Sequence, residues 1–461
     1  MTHSKGRPVR DSNRGPTVVR TIASVHGASA YHTAPPTTPV PGLIDVIDRF
    51  SCFSGYKINL AKSEAMPLGT LSTIPTTVPS FPFKWSPNGF VYLGIFITPS
   101  FDQLYKANFA PLFCKIKQDL ERWMSLPVSW LGRIALVKMN VLPRLLNPVQ
   151  MIPVLFSKRV LKDINGWLSS FIWNKRRPRL KMAVLHLPSS MGGLDLPNIK
   201  IYQLCAHLRF VNDWVKGKTS IWMDIETALS QCRLSNLLFF NTFKEIKAFC
   251  ANPVTINTLK AWRLVRRLEG RSNITSIYTP IINNPAFPPG SSDPGFRQWS
   301  NKNIKSLSDL LSDDKLMSFE QLTNKYKLSK QDFFRFLQIR HYITSSTTLI
   351  DHPVISAVER ILFHQQFKVS LSSFYHVLNG FSAVGAQGVR DVWERELSVT
   401  IDEDKWDTIW SLAKKISICT RTRAIQLKIL HRLHISPNRR HFFNRSLSPL
   451  CVSSVKLMWE L

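Results

Sequence analysis

The fold is decided by residues 85–143, WSPNGFVYLGIFITPSFDQLYKANFAPLFCKIKQDLERWMSLPVSWLGRIALVKMNVLP. They open with an apolar run at 90–97, which predicts a strand. Apolar residues then recur at helical spacing twice, over 112–124 and over 130–141, where Ser129 stands in the position of a helix cap. The stretch therefore predicts a strand that leads into two amphipathic helices. The basic residues that we expect away from the apolar faces of these helices are Arg122, Arg133 and Lys138.

The charge balance is the strongest global signal. Among 461 residues, 60 Lys and Arg oppose 30 Asp and Glu, which gives a formal net charge of +30. Such an excess favours a polyanionic partner, most often nucleic acid, over a merely soluble basic protein. A hydrophobic content of 44%, with 28 Phe and 13 Trp, excludes wholesale disorder and allows two or three domains with cores of their own.

The cysteines and the apolar runs restrict the cellular compartments in which we expect the protein. There are 7 Cys, none of them in a CxxC pair, which argues against a disulfide framework and against an intact zinc site. This usage fits a reducing compartment, and we expect a nuclear or cytoplasmic protein. No uninterrupted apolar run is long enough to cross a bilayer, so no membrane partner is expected.

The N-terminus and the segment after it differ in composition. Residues 1–41 are rich in Ser, Thr, Pro and Arg, which predicts a disordered basic arm; an organelle transit peptide is the alternative, although its amphipathic period is weak. A short helical face follows from Leu43 to Phe50. Tyr56, Ile58 and Leu60 then alternate with polar residues, which predicts a half-buried strand.

Several of these segments together resemble one family. Ser54-Gly55-Tyr56-Lys57-Ile58-Asn59 with Lys62-Ser63, and then Tyr92-Leu93-Gly94-Ile95, resemble the end of the palm and the primer grip of LINE-type (non-LTR) retrotransposon reverse transcriptases. Residues 127–134 are similar to the thumb segment of that family, and the words Phe171-Ile172-Trp173-Asn174-Lys175 and Gly192-Gly193-Leu194 continue the match. The resemblance covers about residues 43–215 and implies the C-terminal half of an RNA-directed DNA polymerase. A plain helical hairpin is the alternative for the central stretch.

The chain departs from the family where polymerase chemistry takes place. The family holds two metal ions on aspartates of an aromatic-Ala-Asp-Asp hairpin upstream of the Ser-Gly-Tyr segment, and no such hairpin stands here. Asp313-Asp314, the only Asp-Asp pair, lies in a polar context that predicts a solvated turn. Near the C-terminus Cys451 matches one ligand of a zinc knuckle, whereas a structural zinc site needs four. We therefore expect no catalytic residues, no metal and no cofactor.

Nucleic-acid contacts are predicted from the resemblance and from charge. By resemblance they include Lys62 and the primer-grip residues, although Lys62 without a bound triphosphate is better explained as an exposed strand lysine. By charge they include the run at 174–181, which carries five cations in eight residues beside Trp167 and Trp173; a nuclear-import signal and a solvated loop are the alternatives. The complete predicted set is Lys62, Tyr92, Leu93, Gly94, Arg122, Arg133, Lys138, Lys175, Arg176, Arg177, Arg179 and Lys181.

These patterns predict a mainly α-helical protein with a small β remnant of a polymerase palm. The predicted segments are the arm at 1–41, a palm remnant with the primer-grip strand at 42–100, a helical thumb at 101–156, a helical unit with the basic loop at 157–217, a weakly patterned linker region at 218–300 and a C-terminal helical domain at 301–461. Within the fourth, Ser157 is expected to cap a helix, and within the last, Ser318 and Ser329 stand at N-terminal caps.

The expected function is non-specific binding of RNA, DNA or their hybrid by a truncated, non-catalytic reverse-transcriptase-like protein. Two alternatives stay open: polymerase activity with a catalytic palm supplied in trans, and a decayed retroelement fragment without molecular function. Because the apolar strand at 90–97 lacks most of its palm, self-association through its exposed edge is also expected.

Overall fold

A computed structural model describes residues 40–66, 68, 83–217, 220–272, 274–313, 315–345, 355–364, 369–381, 387–415 and 417–433. The described chain is mainly helical with three two-stranded sheets, which confirms the predicted fold class. The predicted arm, apart from its last two residues, and the zinc-knuckle position Cys451 lie outside the described residues. Within them, no helix is long and apolar enough to span a membrane.

The strands are β1 Glu64–Ala65, β2 Lys84–Trp85, β3 Phe90–Tyr92, β4 Ile95–Ile97, β5 Leu311–Ser312 and β6 Lys315–Leu316. The helices up to residue 228 are α1 Val40–Ser54, α2 Phe101–Arg122, α3 Trp130–Leu136, α4 Leu142–Met151, α5 Lys158–Ile172, α6 Met182–His186, α7 Ile199–Lys216 and α8 Ile221–Ala228. They continue with α9 Phe243–Phe249, α10 Pro253–Leu268, α11 Pro289–Ser292, α12 Pro294–Asn301, α13 Phe319–Tyr326, α14 Phe333–Ser345, α15 Ala357–Phe363, α16 Leu371–Phe381, α17 Gln387–Leu397, α18 Glu403–Lys415 and α19 Thr420–Leu430.

The chain divides into two compact units whose segments alternate along the sequence. The first unit comprises Met1–Lys115, Arg144–Phe156 and Lys200–Leu378, and the second unit comprises Ile116–Pro143, Ser157–Ile199 and Asn379–Leu461. Whether the six contiguous segments expected from the sequence are separate domains stays a prediction.

In the first unit, the apolar run at 90–97 forms a tight hairpin rather than the single strand predicted from its composition. β3 pairs antiparallel with β4, and Leu93 and Gly94 turn between them with φ of 49° and 81°. A two-residue turn with positive φ at both positions matches the twist of a hairpin, and Gly94 supplies it at little steric cost. Ile95 and Ile97 are buried, whereas Val91, Tyr92 and Leu93 are exposed.

The predicted half-buried strand at 56–60 is wrong. Residues 55–59 form no regular element, and Leu60–Lys62 is a 3-10 turn that Asn59 caps. Tyr56, Ile58 and Leu60 are all exposed. Val46, Phe50 and Phe53, which belong to α1, are exposed as well. An alternating pattern forms a strand only where a neighbouring strand accepts its ladder, and among the described residues none pairs with this segment.

Two apolar cores hold the first unit. In one, α7 packs with α8, α10, α15 and α16 around residues such as Leu208, Trp262 and Phe374. The other surrounds Phe296 and Trp299 of α12 and includes residues of the 283–295 segment.

The segment at 283–295 contains four prolines, a composition that predicts an exposed linker within the weakly patterned region at 218–300, but the structure shows that it is folded. Phe287 is buried against the ring of Phe296, and Asp293 caps α12 and accepts hydrogen bonds from Arg335. Three of its four prolines, Pro288, Pro289 and Pro294, lie at helix starts, where a missing N–H costs nothing. In the same unit, the predicted caps Ser318 and Ser329 both form capping boxes, which confirms them.

In the second unit, two predicted caps fix where helices begin. The Ser129 hydroxyl accepts from the Gly132 N–H at the start of α3, and the Ser157 hydroxyl accepts from the Val160 N–H at the start of α5. α3 continues through a π-helical turn at Val137–Val141 into α4. The inward residues Ile134, Val137, Ile164, Leu168 and Phe171 are buried, as their spacing predicts.

Candidate nucleic-acid interface

The cationic run predicted from charge is an exposed loop of the second unit. α5 ends at Ile172, and Asn174 and Lys175 turn the chain with positive φ of 52° and 59°. Lys175, Arg176, Arg177, Arg179 and Lys181 are all exposed, and Lys181 precedes α6. Across the described part of the chain, no carboxylate pairs with any of the five. Their charge is therefore available to a partner.

Three of these arginines line a cavity of about 270 Å³, which we call the basic pocket. Its lining residues are Val128, Trp130, Arg133, Ile172, Trp173, Asn174, Arg176, Arg177, Arg179, Lys428 and Leu433. All belong to the second unit. The pocket thus joins the α2–α3 connection, the end of α5, the basic loop and the end of α19.

Arg133 forms part of the wall, and the prediction that it faces solvent is wrong. Only 4% of its surface is exposed. Its guanidinium donates to the carbonyl oxygens of Met124 and Phe171, at 3.0 Å each, and to that of Val128 at 3.4 Å. It also lies 5.0 Å from the centroid of the Phe171 ring. Arg133 therefore ties α3 to the ends of α2 and α5.

The helical spacing failed to predict the burial of Arg133 because its long side chain bends back into the core and donates to carbonyl oxygens near the ends of α2 and α5. Burial lowers the pKa of the Arg133 guanidinium, but an arginine keeps its charge. Among the described residues no carboxylate pairs with it. The wall of the basic pocket thus contains a buried positive charge whose described partners are three carbonyl oxygens, the Met124 sulfur and the Phe171 ring.

An aromatic pair completes the wall. The rings of Trp130 and Trp173 stack with centroids 5.6 Å apart and planes 14° from parallel. Trp173 is buried, and Trp130 is half-buried. Within the described part of the chain, both indole N–H groups are buried and have no hydrogen-bond acceptor. Trp167, the other tryptophan expected beside the run, does not line the pocket.

Lys428 is the functional candidate that the sequence reasoning missed. It lies on α19, about 250 residues after the basic loop, and is half-buried at the pocket. Nothing in its local spacing places it at the same cavity as Arg179. The sequence nevertheless contains a signal, since residues 408–433 include six Lys and Arg and no Asp or Glu.

The other predicted contacts lie outside the pocket. Arg122 is exposed and pairs with Asp119 at 2.9 Å, and Lys138 lies 3.8 Å from Asp195. Lys62 is exposed at the end of its 3-10 turn, while Tyr92, Leu93 and Gly94 form the hairpin of the first unit. The structure brings together only Arg133, Arg176, Arg177 and Arg179 of the predicted set.

The aspartate pair gives no sign of chemistry. Asp313 occupies the exposed turn between β5 and β6 with φ of 48°, which confirms a turn there; Asp314 lies outside the described residues. Across the described chain, no three His, Cys, Asp or Glu side chains come together as metal ligands would. The chain matches no known protein-family model. The arrangement that remains is a cation-rich, aromatic-walled pocket suited to an anion.

Proposed function

We propose that this chain is a reverse-transcriptase-like protein of non-LTR retrotransposon type that binds RNA and DNA non-specifically and has no polymerase chemistry of its own. The basic loop and the basic pocket of the second unit are its binding surface. The observation that carries the proposal is the convergence of Arg176, Arg177, Arg179 and Lys428, without pairing carboxylates in the described chain, on one aromatic-walled cavity.

Three further features support a polyphosphate over other anions. The net charge of +30 favours a partner with many negative charges rather than one. Arginine forks fit phosphate oxygens in pairs, and three arginines lie within four positions of the loop. None of the lining side chains is acidic. We expect contacts to phosphates rather than to base edges, so binding should be insensitive to sequence.

The test is a salt titration of fluorescence anisotropy on a random RNA–DNA hybrid. Each phosphate contact releases a counterion and contributes about 0.9 to the slope of log K against log salt concentration. Removing two contacts with Arg176→Ala/Arg177→Ala should therefore weaken binding to all sequences alike and flatten the slope by about 1.8. The fold should survive, because both side chains are exposed.

Arg159→Ala/Lys162→Ala is the matched control. Both residues are exposed on α5 in the same unit, carry the same total charge and lie outside the basic pocket. This variant should keep the wild-type slope. If the two double variants flatten the slope equally, diffuse charge explains binding and the proposed surface is wrong.

A further inference from the structure

The size of the basic pocket limits what can enter it. A cavity of about 270 Å³ is at the small end of ligand sites, and a duplex is far too wide to insert. A duplex resting on the mouth would present phosphates to the exposed loop arginines and leave the interior unfilled. A nucleotide that is not base-paired can turn into such a cavity together with its phosphate.

The interior is built for an anion rather than for an apolar group. Arg133 is a buried cation without a pairing carboxylate in the described chain, and Lys428 is half-buried at the same cavity. A buried charge is costly unless it is compensated, and carbonyl dipoles supply only part of the compensation. A phosphate group in the pocket would bring the missing negative charge close to both side chains.

The aromatic wall supplies the other half of the site. Proteins that bind single strands combine a cationic groove with aromatic side chains against which bases pack. Here the stacked pair Trp130 and Trp173 lines the same cavity as five cationic side chains. Their two unpaired indole N–H groups are also donors that an oxygen of a bound nucleotide could satisfy after a small ring rotation.

We propose that the basic pocket takes one unpaired nucleotide of a single-stranded RNA or DNA, with its phosphate toward Arg133 and Lys428 and its base against Trp130. This inference rests on the proposed function and deepens it, because it names the strand class that the surface selects. The exposed loop arginines then hold nucleic acid of any form, while the cavity distinguishes single strands from duplexes.

The test uses the full-length chain and labelled 12-nucleotide probes in fluorescence anisotropy at fixed salt. The probes are oligo-uridine, oligo-thymidine, a blunt 12-base-pair duplex and an abasic 12-mer. A duplex has twice the phosphates, so attraction by charge alone favours the duplex. We expect the reverse order, with both base-containing single strands bound at least about fivefold tighter than the duplex, and the abasic strand losing that preference.

Lys428→Ala tests the interior directly. It should weaken single-strand binding roughly threefold to tenfold and change duplex binding by less than about twofold, since the duplex stays at the mouth. Lys162→Ala, an exposed lysine of the same unit outside the cavity, should change neither affinity. Circular dichroism melts of both variants separate lost binding from lost folding.

The outcomes separate the two proposals. Duplex bound as tightly as single strand, an abasic strand bound as tightly as oligo-thymidine, or an equal effect of Lys428→Ala on both forms would overturn the nucleotide pocket and leave non-specific binding intact. Absence of binding to every probe would overturn the proposed function itself.

Discussion

Arg133 and Arg122 show how two arginines of similar sequence context acquire different roles. Both follow an apolar helical pattern and both were expected to face solvent. Arg122 does so, with 73% of its side chain exposed beside Asp119. Arg133 is instead surrounded by carbonyl oxygens that have no other described side-chain donor at hand. Arg133 therefore satisfies carbonyl acceptors near the ends of α2 and α5.

We predict that Arg133→Leu lowers the free energy of unfolding of the second unit by about 3 kcal/mol, because the carbonyl oxygens of Met124, Val128 and Phe171 lose their hydrogen bonds to a charged donor. Arg122→Ala should change it by less than about 1 kcal/mol, as exposed ion pairs contribute little. Urea denaturation followed by tryptophan fluorescence measures both. Equal effects of the two substitutions would contradict the structural role of Arg133.

Among the elements of the second unit, the turn at Gly192-Gly193 requires glycine at both positions. Gly192 has φ of 79°, and a Cβ there would lie 2.6 Å from the Trp410 ring. A Cβ on Gly193 would lie 1.9 Å from the carbonyl oxygen of Leu187, which is backbone and cannot rotate away. Gly166, within α5, faces open space instead. The same residue type is thus required in one element and costly in another.

Gly193→Ala should destabilise the second unit by about 3 kcal/mol or more, since the backbone around Leu187 must move to admit one methyl group. Gly166→Ala should stabilise it by about 0.5 to 1 kcal/mol, because alanine loses less entropy in a helix interior. Thermal melts of the two variants give the comparison. A shift in the same direction for both would show that the turn tolerates a side chain.

At the scale of the whole molecule, the first unit exposes apolar residues close together in sequence. Val46, Phe50 and Phe53 lie three or four positions apart in α1, and Tyr56 follows the helix. All four side chains are exposed, and Phe53 is 91% exposed. Exposed apolar groups clustered in this way mark association surfaces more often than scattered ones do. We therefore expect α1 to contribute to self-association in addition to the hairpin, where Val91, Tyr92 and Leu93 are exposed.

We predict that the full chain forms dimers or larger species at micromolar concentration, and that Phe50→Ser/Phe53→Ser shifts it toward monomer. Ile418→Ser is the control, since Ile418 is 94% exposed but lies in the second unit. Light scattering after size-exclusion chromatography measures the mass. A wild-type monomer at all concentrations would exclude association through α1.

How far the sequence predicted this molecule depends on how local each feature is. Helix caps at Ser129, Ser157, Ser318 and Ser329 were predictable because a cap needs only residues three positions apart. The hairpin at 90–97 was missed because a strand and a folded-back strand have the same apolar composition. The basic loop was visible as a run of charge. The position of Lys428 beside it was not, because contacts between distant segments leave no trace in local spacing.

The interleaved order of the two units also governs how the chain is completed on the ribosome. The second unit needs residues 379–433 to meet residues 116–199, and the stretch 200–378 is translated between them. At ordinary elongation rates that interval lasts roughly 10 to 40 s. During it, the places that Trp393, Trp406 and Trp410 later fill are unoccupied. We therefore expect the unfinished second unit to expose apolar surface throughout that interval.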